Sequence, residues 1–455
     1  MEDIMKITAI ELNNFKSIQH LSMNLASRNY KNIKKLVAIY GENGAGKSTL
    51  IDSFKVLCLS IRTLDNLEEF IKFRDSIIEK NKDTTINPDF LLKISKDRMF
   101  TNIHDIFNNC HTINSKENTI IKYSFCLDEK PGYYELTFSE NNELIEEKMY
   151  HVINKNRGIL FDIRKGETPN LNSEIIKNQE LKKEIYNMID RYWGQHTLLA
   201  IISNEIKKNN IRYIKNNIKK NILEFITNIS KTSFYQHSIS SELIVSSQPI
   251  QGMNIEKGTI PLSWEQSLDM IEDILNTFIP SSYSDVLKVF YEKNKNDKSI
   301  QYKLIFRKRI GGEATDISVN LESGGTRRLI KLLPLLIDAV KGHIVVIDEI
   351  DNGIHDLLIS QILESISQTI KGQLIFTTHN TQLMNSISSS NVFILNTDRN
   401  GFKEIYSLDE FGVRTTNNMS KMYLEGKFDG IPYPDDEALN NMMEAFAQHE
   451  TNKRS

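Results

Sequence analysis

A glycine-rich stretch, GENGAGKST, is the clearest candidate for chemistry in the sequence. Gly41, Gly46, Lys47 and Ser48 fit the spacing G-x-x-x-x-G-K-S. Glycines let backbone N–H groups turn inward around a phosphate, while the lysine reaches the β- and γ-phosphates and the serine hydroxyl binds Mg²⁺. The pattern predicts a phosphate-binding loop (P-loop), with a catalytic role for Lys47. The candidate nucleotide-binding residues are Gly41, Asn43, Gly44, Gly46, Lys47, Ser48 and Thr49.

Two adjacent acids follow an apolar run at residues 344–347. At the end of a buried strand, Asp348 would hold Mg²⁺ together with Ser48, and Glu349 would orient and deprotonate the attacking water. The alternative, a solvated start of a loop, is less suited to a chain that also has a P-loop. His379 follows a second short apolar run, and we expect it to contact the γ-phosphate and the water, although histidines at strand ends are often structural.

A Ser-Gly-Gly turn opens an apolar helical stretch at residues 321–340. Ser323 is a suitable N-cap, and Gly324 and Gly325 let another backbone approach closely. Free N–H groups and the helix dipole then form a second phosphate site, which cannot belong to the chain's own P-loop. The sequence therefore predicts that a second subunit completes the nucleotide site, with a simple capped helix as the alternative.

The elements that must position these residues follow from hydrophobic patterning. An apolar run at 36–39 predicts a strand before the P-loop, and Leu50, Phe54 and Leu57 predict a helix after it. Residues 119–163 predict four short strands in a β-meander. The predicted division is an N-terminal half of the nucleotide-binding head (1–60), a helical segment (61–118), a β-meander lobe (119–165), a helical insertion (166–315), the C-terminal half of the head (316–415) and a tail (416–455).

Charge and composition narrow the classes of function. The 455-residue chain has 56 basic and 59 acidic side chains, so its net charge of −3 gives no general attraction to nucleic acid. A local basic cluster at residues 207–220 is the best candidate for DNA, with Ile211, Ile214, Ile218 and Ile222 on the other face of a predicted helix. A solvated amphipathic helix is the interpretation we prefer. The cluster comprises Lys207, Lys208, Arg212, Lys215, Lys219 and Lys220.

The remaining patterns predict a cytoplasmic protein. The apolar runs are too short for a transmembrane helix, so no membrane partner is expected. The beginning of the sequence, MEDIMKITAI, does not have the pattern of a secretory signal. Three widely spaced cysteines form no metal-binding pair and suit a reducing compartment.

Taken in order, GENGAGKST, ESGGTRRL, VVIDEID and TTHN resemble the motifs of ABC-type ATPase heads, including RecF-like and OLD-like proteins. The resemblance implies an α/β fold, a P-loop sheet with flanking helices that is interrupted here by the β-meander and the helical insertion. It also implies ATP and Mg²⁺ as cofactors and a head-to-tail dimer. In such a dimer Ser323, Gly324 and Gly325 of one copy complete the ATP site of the other, and His379 is the switch histidine.

Three further segments are similar to AAA/ABC-like ATPases of bacterial abortive-infection and anti-phage operons: ITAIELNNFKSI, IDEIDNGIH and YLEGKFDGIPY. Within that group the layout looks closest to the ATPase subunit of PARIS-type defence and its RloA- and AbiL-like relatives. The resemblance implies slow ATP turnover, a separate effector such as a Toprim-type nuclease, a phage-encoded trigger and a dimer or higher ring. The sequence differs from ABC transporters in the D-loop region, where it has His355 and they have Asp. No Q-loop glutamine can be placed.

A RecF-like DNA-repair ATPase that binds DNA directly is the alternative function. No heptads are present for the long coiled-coil arm of SMC proteins. The 76 residues after His379 are too few for the Toprim domain that OLD-type proteins have there, so any nuclease would be a separate protein. A transport function is disfavoured by the long insertion.

Overall fold

The computed structural model describes residues 4–27, 30, 32–80, 100–237, 242–245, 254–413, 417–430 and 440–446. Strands and helices are numbered here in chain order. In this part of the chain, no helix combines the length and apolar character needed to cross a membrane.

The central sheet has seven strands, of which five are parallel. These five lie next to one another and run in one direction, and the strand at each edge is antiparallel to its neighbour. Across the sheet the order is β10 (Glu242–Val245), β9 (Ser233–His237), β15 (Ile344–Ile347), β16 (Gln373–Thr377), β3 (Leu36–Tyr40), β17 (Val392–Thr397) and β18 (Lys403–Ser407).

A second, antiparallel sheet covers one face of the central sheet together with seven helices. Its order is β2 (Ile18–Asn24), β1 (Lys6–Phe15), β4 (Thr119–Leu127), β5 (Lys130–Phe138), β6 (Leu144–Val152), β7 (Arg157–Arg164) and β8 (Asn170–Leu171). The helices are α1 (Lys47–Ser60), α2 (Thr63–Lys80), α3 (Ile103–Phe107), α4 (Gln179–Tyr192), α5 (Leu198–Lys208), α6 (Ile211–Asn217) and α7 (Lys220–Ser230).

The opposite face is covered by five helices and a small antiparallel sheet. In that sheet β13 (Ser299–Ile310) pairs with β11 (Lys257–Pro261), β12 (Val286–Lys295) and β14 (Glu313–Ser318). The helices are α8 (Glu265–Ser282), α9 (Gly324–Lys341), α10 (Asp356–Thr369), α11 (Gln382–Ser386) and α12 (Met419–Leu424).

Alternating side chains of the central strands fill two separate hydrophobic cores. In β3, Val37 and Ile39 pack toward the antiparallel sheet, and Ala38 and Tyr40 pack toward α8–α12. Strands that are buried on both faces are apolar throughout, which explains the uninterrupted apolar runs in the sequence. The predicted α/β fold, a P-loop sheet with helices on both sides, is confirmed.

The four strands predicted at residues 119–163 are present as β4–β7. They do not form a sheet of their own, because β4 pairs with β1 along residues 6–13. The meander therefore extends a sheet that begins in the N-terminal half of the head. The boundary predicted at residue 119 falls within this one sheet.

The description of residues 166–315 as a helical insertion is wrong in part. Besides α4–α8, this range contains β8–β13, and β9 lies in the central sheet beside β15. A five-residue strand such as SFYQH has too short an apolar pattern to be distinguished from part of a helix. Residues 81–99, within the segment predicted as helical, lie outside the described residues.

The segment predicted to begin a tail at residue 416 is also corrected. Residues 417–430 pack on the head, where Met419, Tyr423 and Phe428 are buried in the second core. The hydroxyl of Tyr423 donates to the carbonyl oxygen of Gly430 over 2.8 Å. Residues 431–439 and 447–455, the rest of this segment except the short helix at 440–446, lie outside the described residues.

The single amphipathic helix predicted around residues 207–220 is wrong. Three helices, α5, α6 and α7, divide this stretch, and Ile211 is 60% exposed, whereas Ile214, Ile218 and Ile222 are buried. Asn210 accepts from the backbone N–H of Arg212 and starts a new helix, which periodicity alone does not reveal. Several of the cations pair with acids: Lys207 with Asp65, Lys208 with Glu68 and Lys220 with Glu224.

A buried carboxylate joins the meander to the helices. Glu147 of β6 accepts hydrogen bonds from Tyr134 Oη, Trp193 Nε1 and the backbone N–H of Leu198, the first residue of α5. Burial raises the pKa of Glu147 to about 7, despite these donors. Because its pKa is raised in the folded state, Glu147 adds stability at low pH that is lost as the pH rises from about 4.5 to about 7.

For Glu147→Gln we expect a loss of stability, since the amide N–H₂ would face donors instead of acceptors. The wild-type advantage over this variant should shrink as the pH rises between about 4.5 and about 7. Urea unfolding of both proteins across this window measures the difference. A difference that is constant or grows with pH would show that the carboxyl group does not titrate as stated.

Candidate nucleotide-binding site

The site lies at the edge of the central sheet where the parallel strands end. Because β3, β15 and β16 run in the same direction, the P-loop, the two acids and His379 meet at their carboxyl ends. Together they border a cavity of about 310 Å³, within the range of small-ligand sites. The lining residues are Ser17, Asn43, Gly44, Gly46, Lys47, Ser48, Thr49, Asp348, Glu349 and His379.

The P-loop has the backbone geometry that its glycines allow. Gly46, the N-cap of α1, has a φ of 109°, which residues with a Cβ rarely adopt. A Cβ at Gly41 would lie 2.3 Å from the carbonyl oxygen of Leu395, so only glycine fits at this position. Gly41 packs on Leu395 and does not line the cavity. The Nζ atom of Lys47 donates to the carbonyl oxygens of Gly41 at 2.8 Å and Glu42 at 3.0 Å.

The charges around Lys47 suit a polyphosphate. Burial lowers the pKa of the Lys47 amine, an effect that the nearby carboxylates, Asp348 first, partly offset. Desolvation, and then the charge of Lys47, lower the pKa of His379. A neutral His379 ring can donate one hydrogen bond and accept another, as contact with both a phosphate and a water molecule requires.

Asp348 and Ser48 are the residues that fit Mg²⁺. Burial raises the pKa of Asp348, while hydrogen bonds from Thr377 and Ser48 lower it. A hydroxyl and a carboxylate are hard oxygen ligands of the kind that Mg²⁺ prefers, usually with substrate phosphates and water completing the shell. The buried negative charge would be offset by a divalent cation. The donor set therefore fits the predicted metal role of both residues.

Glu349 is held in an unusual conformation at the rim of the cavity. Its φ is 50°, which is rare for a residue with a Cβ. Its backbone N–H donates to Thr377 Oγ1 over 2.7 Å, and its Oε2 atom accepts from Asn352 Nδ2 over 3.0 Å. Glu349 lines the cavity, where a general base would be required.

The Ser-Gly-Gly turn lies outside this cavity. Ser323 caps α9 as predicted, since its Oγ atom accepts from the backbone N–H of Thr326 at 3.1 Å. Gly325 packs against the loop after Glu349, where an added Cβ would lie 2.0 Å from the carbonyl oxygen of Gly353. A Cβ at Gly324 would meet no described atom within 4 Å. The turn is therefore tightly packed at Gly325 and has open space beside Gly324.

Two residues that line the cavity or orient its acids were not predicted from the sequence. Ser17, in the turn between β1 and β2, lines the cavity, and its Oγ atom lies 3.3 Å from Thr49 Oγ1. Thr377 donates to Asp348 Oδ1 over 2.6 Å and accepts from the N–H of Glu349, so one hydroxyl orients both acids. A polar residue at the end of an apolar strand was the available signal for Thr377.

Gln236 lies in the strand next to the one that ends at Asp348. Tyr235 pairs with Ile347, so Gln236 in β9 is level with Asp348 in the neighbouring strand. Its Nε2 atom donates to Asp52 Oδ1 over 3.0 Å, and the other oxygen of Asp52 forms an ion pair with Lys16. The sequence analysis did not single out Gln236, because its strand lies in the range predicted as helical.

Arg328 links the Ser-Gly-Gly helix to the two acids of its own chain. Its Nη2 atom donates to the backbone carbonyl oxygens of Asp348 at 3.2 Å and Glu349 at 2.6 Å, and its guanidinium lies 4.8 Å from the Tyr235 ring centre. The side chain is only 8% exposed. Arg328 is therefore placed to fix the strained backbone of Glu349 as a positioning residue.

We expect Arg328→Ala to lower kcat for ATP about 10- to 10²-fold, because a charge-assisted hydrogen bond to the Glu349 carbonyl is worth about 1.5–3 kcal/mol. The Kd for ATP should change little, since Arg328 does not line the cavity. Arg328→Lys should recover part of the rate. An equal loss of binding and of rate would indicate general damage to the fold instead of a positioning role.

The fold and the site together define an α/β domain with a P-loop nucleotide-binding site. The sequence matches the family described as "AAA domain, putative AbiEii toxin, Type IV TA system" over residues 36–385, and the chain belongs to this family. No curated protein matches the chain.

Three solved structures are similar in outline. An SMC head domain from Thermotoga maritima is 14% identical with a TM-score of 0.36, covering 88% of this chain and 98% of that one. An Smc head bound to the C-terminal winged-helix domain of ScpA is 14% identical with a TM-score of 0.42, covering 89% and 99%. The recombination mediator RecF is 12% identical with a TM-score of 0.38, covering 89% and 99%.

Proposed function

We propose that the protein binds ATP with Mg²⁺ and hydrolyses it slowly in a head-to-tail dimer. The observation that carries this proposal is the cavity at the sheet edge, which joins the P-loop to Asp348, Glu349 and His379. In the proposed roles, Lys47 binds the phosphates, Ser48 and Asp348 hold Mg²⁺, Glu349 activates water and His379 contacts the γ-phosphate. The Ser-Gly-Gly turn of a second copy closes the site.

In this reaction the chain binds the nucleotide, orients the attacking water and removes a proton from it. Mg²⁺, when bound, would neutralise charge on the phosphates. The Glu349 carboxylate accepts the proton of the attacking water, while Thr377 and Arg328 keep its backbone in place. Closing a second copy over the cavity would exclude bulk water, which strengthens the electrostatic contacts inside.

We propose further that this ATPase works in an anti-phage defence system like PARIS. In this role the nucleotide state would control whether a separate toxic effector, such as a Toprim-type nuclease, is held or released. The family description, which names a toxin of a type IV toxin–antitoxin system, supports a defence setting. A nucleotide can favour one assembly only if that assembly binds it more tightly, as a site shared by two subunits would.

The test is co-expression with the product of the neighbouring gene. If the proposal holds, the two proteins co-purify with ATP and Mg²⁺, and a phage-encoded trigger dissociates them. The Lys47→Ala variant should lose both ATP binding and the ATP-dependent complex. A pair that forms equally well with Lys47→Ala would contradict control by nucleotide.

The alternative, a RecF-like ATPase that binds DNA directly, is supported by the basic residues of α5–α7. Arg212 and Lys215 are exposed there, although Lys207, Lys208 and Lys220 pair with acids. Neutralising Lys215, Lys219 and Lys220 should then reduce DNA affinity and flatten its dependence on salt. Salt-independent or absent DNA binding would reject this alternative.

A further inference from the structure

An apolar groove runs between helices α8, α9 and α10, away from the nucleotide cavity. Its volume is about 970 Å³, and no Asp, Glu, Lys or Arg occurs among the described residues that line it. Phe278 projects from α8, Ile337 and Val340 from α9, and Leu357 and Leu358 from α10. Leu357 is 61% exposed. An uncharged surface of this kind favours an apolar binding partner.

A short helix at residues 440–446 exposes an apolar face of matching character. Met442, Met443 and Phe446 are 59%, 67% and 69% exposed, respectively. Their spacing places them on one side of the helix, whereas Asn441 and Glu444 lie on the other. Three large apolar side chains exposed together on seven residues are costly in water, and the helix gains stability if they are covered.

We infer that the helix at 440–446 of one copy docks in the α8–α10 groove of a second copy. An amphipathic helix in an apolar groove is a common mode of protein recognition. Methionines suit such a role because their flexible side chains fill irregular spaces. The charge of Glu444 stays on the solvent side, so no charge is buried without a partner. Within one chain both surfaces are exposed, which favours a contact between copies.

This contact is separate from the proposed ATP-dependent dimer. It uses the flanks of α9 and α10 and requires no nucleotide. Two different interfaces on one chain can join more than two copies, in a ring or an open chain. The groove also contacts both helices that adjoin the ATP site: α9 begins with the Ser-Gly-Gly turn, and His355, which caps α10, lines the groove.

Cross-linking between two variants, each with one added cysteine, tests the contact. The native Cys58, Cys110 and Cys126 are buried, and burial raises the pKa of the first to about 12 and of the second to about 11, so they react poorly. Phe446→Cys and Ile337→Cys proteins are mixed without nucleotide and treated with a short bis-maleimide. Asn441→Cys, on the polar side of the helix, replaces Phe446→Cys as the matched control.

We expect a two-chain product at roughly tenfold higher yield from the Phe446→Cys mixture than from the Asn441→Cys control. The inference is overturned if the two yields are equal. It is also overturned if a chain containing both Phe446→Cys and Ile337→Cys gives only a one-chain product at any dilution, because the helix then docks on its own chain.

Charge substitutions give an independent measurement. Met442→Glu with Phe446→Glu places two carboxylates on the apolar side, and Asn440→Glu with Asn441→Glu adds the same charge on the polar side. Without nucleotide, we expect the first pair to weaken self-association at least about tenfold by sedimentation velocity, since a charge cannot enter the groove unpaired. The second pair should have little effect. Equal behaviour of the two pairs would contradict the docking.

Discussion

Glu349→Gln is expected to bind ATP and to stop hydrolysing it. The amide keeps the shape of the side chain and its position near Asn352 Nδ2, but it cannot accept the proton of the attacking water. We expect kcat to fall about 10²–10⁴-fold, the usual contribution of a general base, with the Kd for ATP nearly unchanged. A two-chain, ATP-bound species should then accumulate, because the step that would separate the copies is blocked.

Single-turnover hydrolysis and size-exclusion chromatography with ATP and Mg²⁺ measure the two effects. Asp356→Asn is the matched control, since it removes an exposed acid from the start of α10 that does not line the cavity. It should hydrolyse ATP at the wild-type rate. Glu349 is not the base if its glutamine variant retains a rate within about threefold of the wild type.

The second large effect is expected at Gly324. Because a Cβ there meets no described atom of its own chain within 4 Å, Gly324→Asp should fold normally, and an acid in the first turn even suits the helix dipole. In a dimer the new carboxylate would face the phosphates of the other copy. We expect ATP-dependent pairing to be lost and kcat to fall roughly 10²-fold or more, with ATP still binding to the single chain.

Gly324→Asn separates the effect of charge from that of size. The amide has the volume of the Asp side chain without its charge, and we expect a clearly smaller loss. Sedimentation velocity with ATP and steady-state hydrolysis are the measurements. If Gly324→Asp pairs and hydrolyses like the wild type, the Ser-Gly-Gly turn does not complete the site of another copy.

Local patterns were enough to predict the elements that carry the site. The apolar runs before Gly41 and Asp348 are strands whose side chains pack on both faces of the sheet, so every residue in them is apolar. The motifs that follow directly, the P-loop and the two acids, mark them as strands. The N-cap at Ser323 and the four strands of the meander also follow from short-range signals.

Residues that act through contacts between distant parts of the chain could not be predicted in this way. Arg328 lies 21 positions from Glu349, and Thr377 lies 29 positions from Asp348. Neither spacing is a motif, since only the order of the strands in the sheet brings them together. Gln236 was missed for the same reason: its strand is short, and its position beside Asp348 depends on pairing with β15.

The base of the P-loop rests on residues from near the other end of the sequence. A Cβ added at Gly430 would lie 3.0 Å from Ile394 Cγ2 and 3.8 Å from the Cα atom of Gly41, and Tyr423 contacts Tyr40 at the end of β3. The P-loop is thus held in place in part by residues 423–430. A shift in the packing of residues 423–430 would therefore displace the backbone on which the nucleotide's phosphates lie.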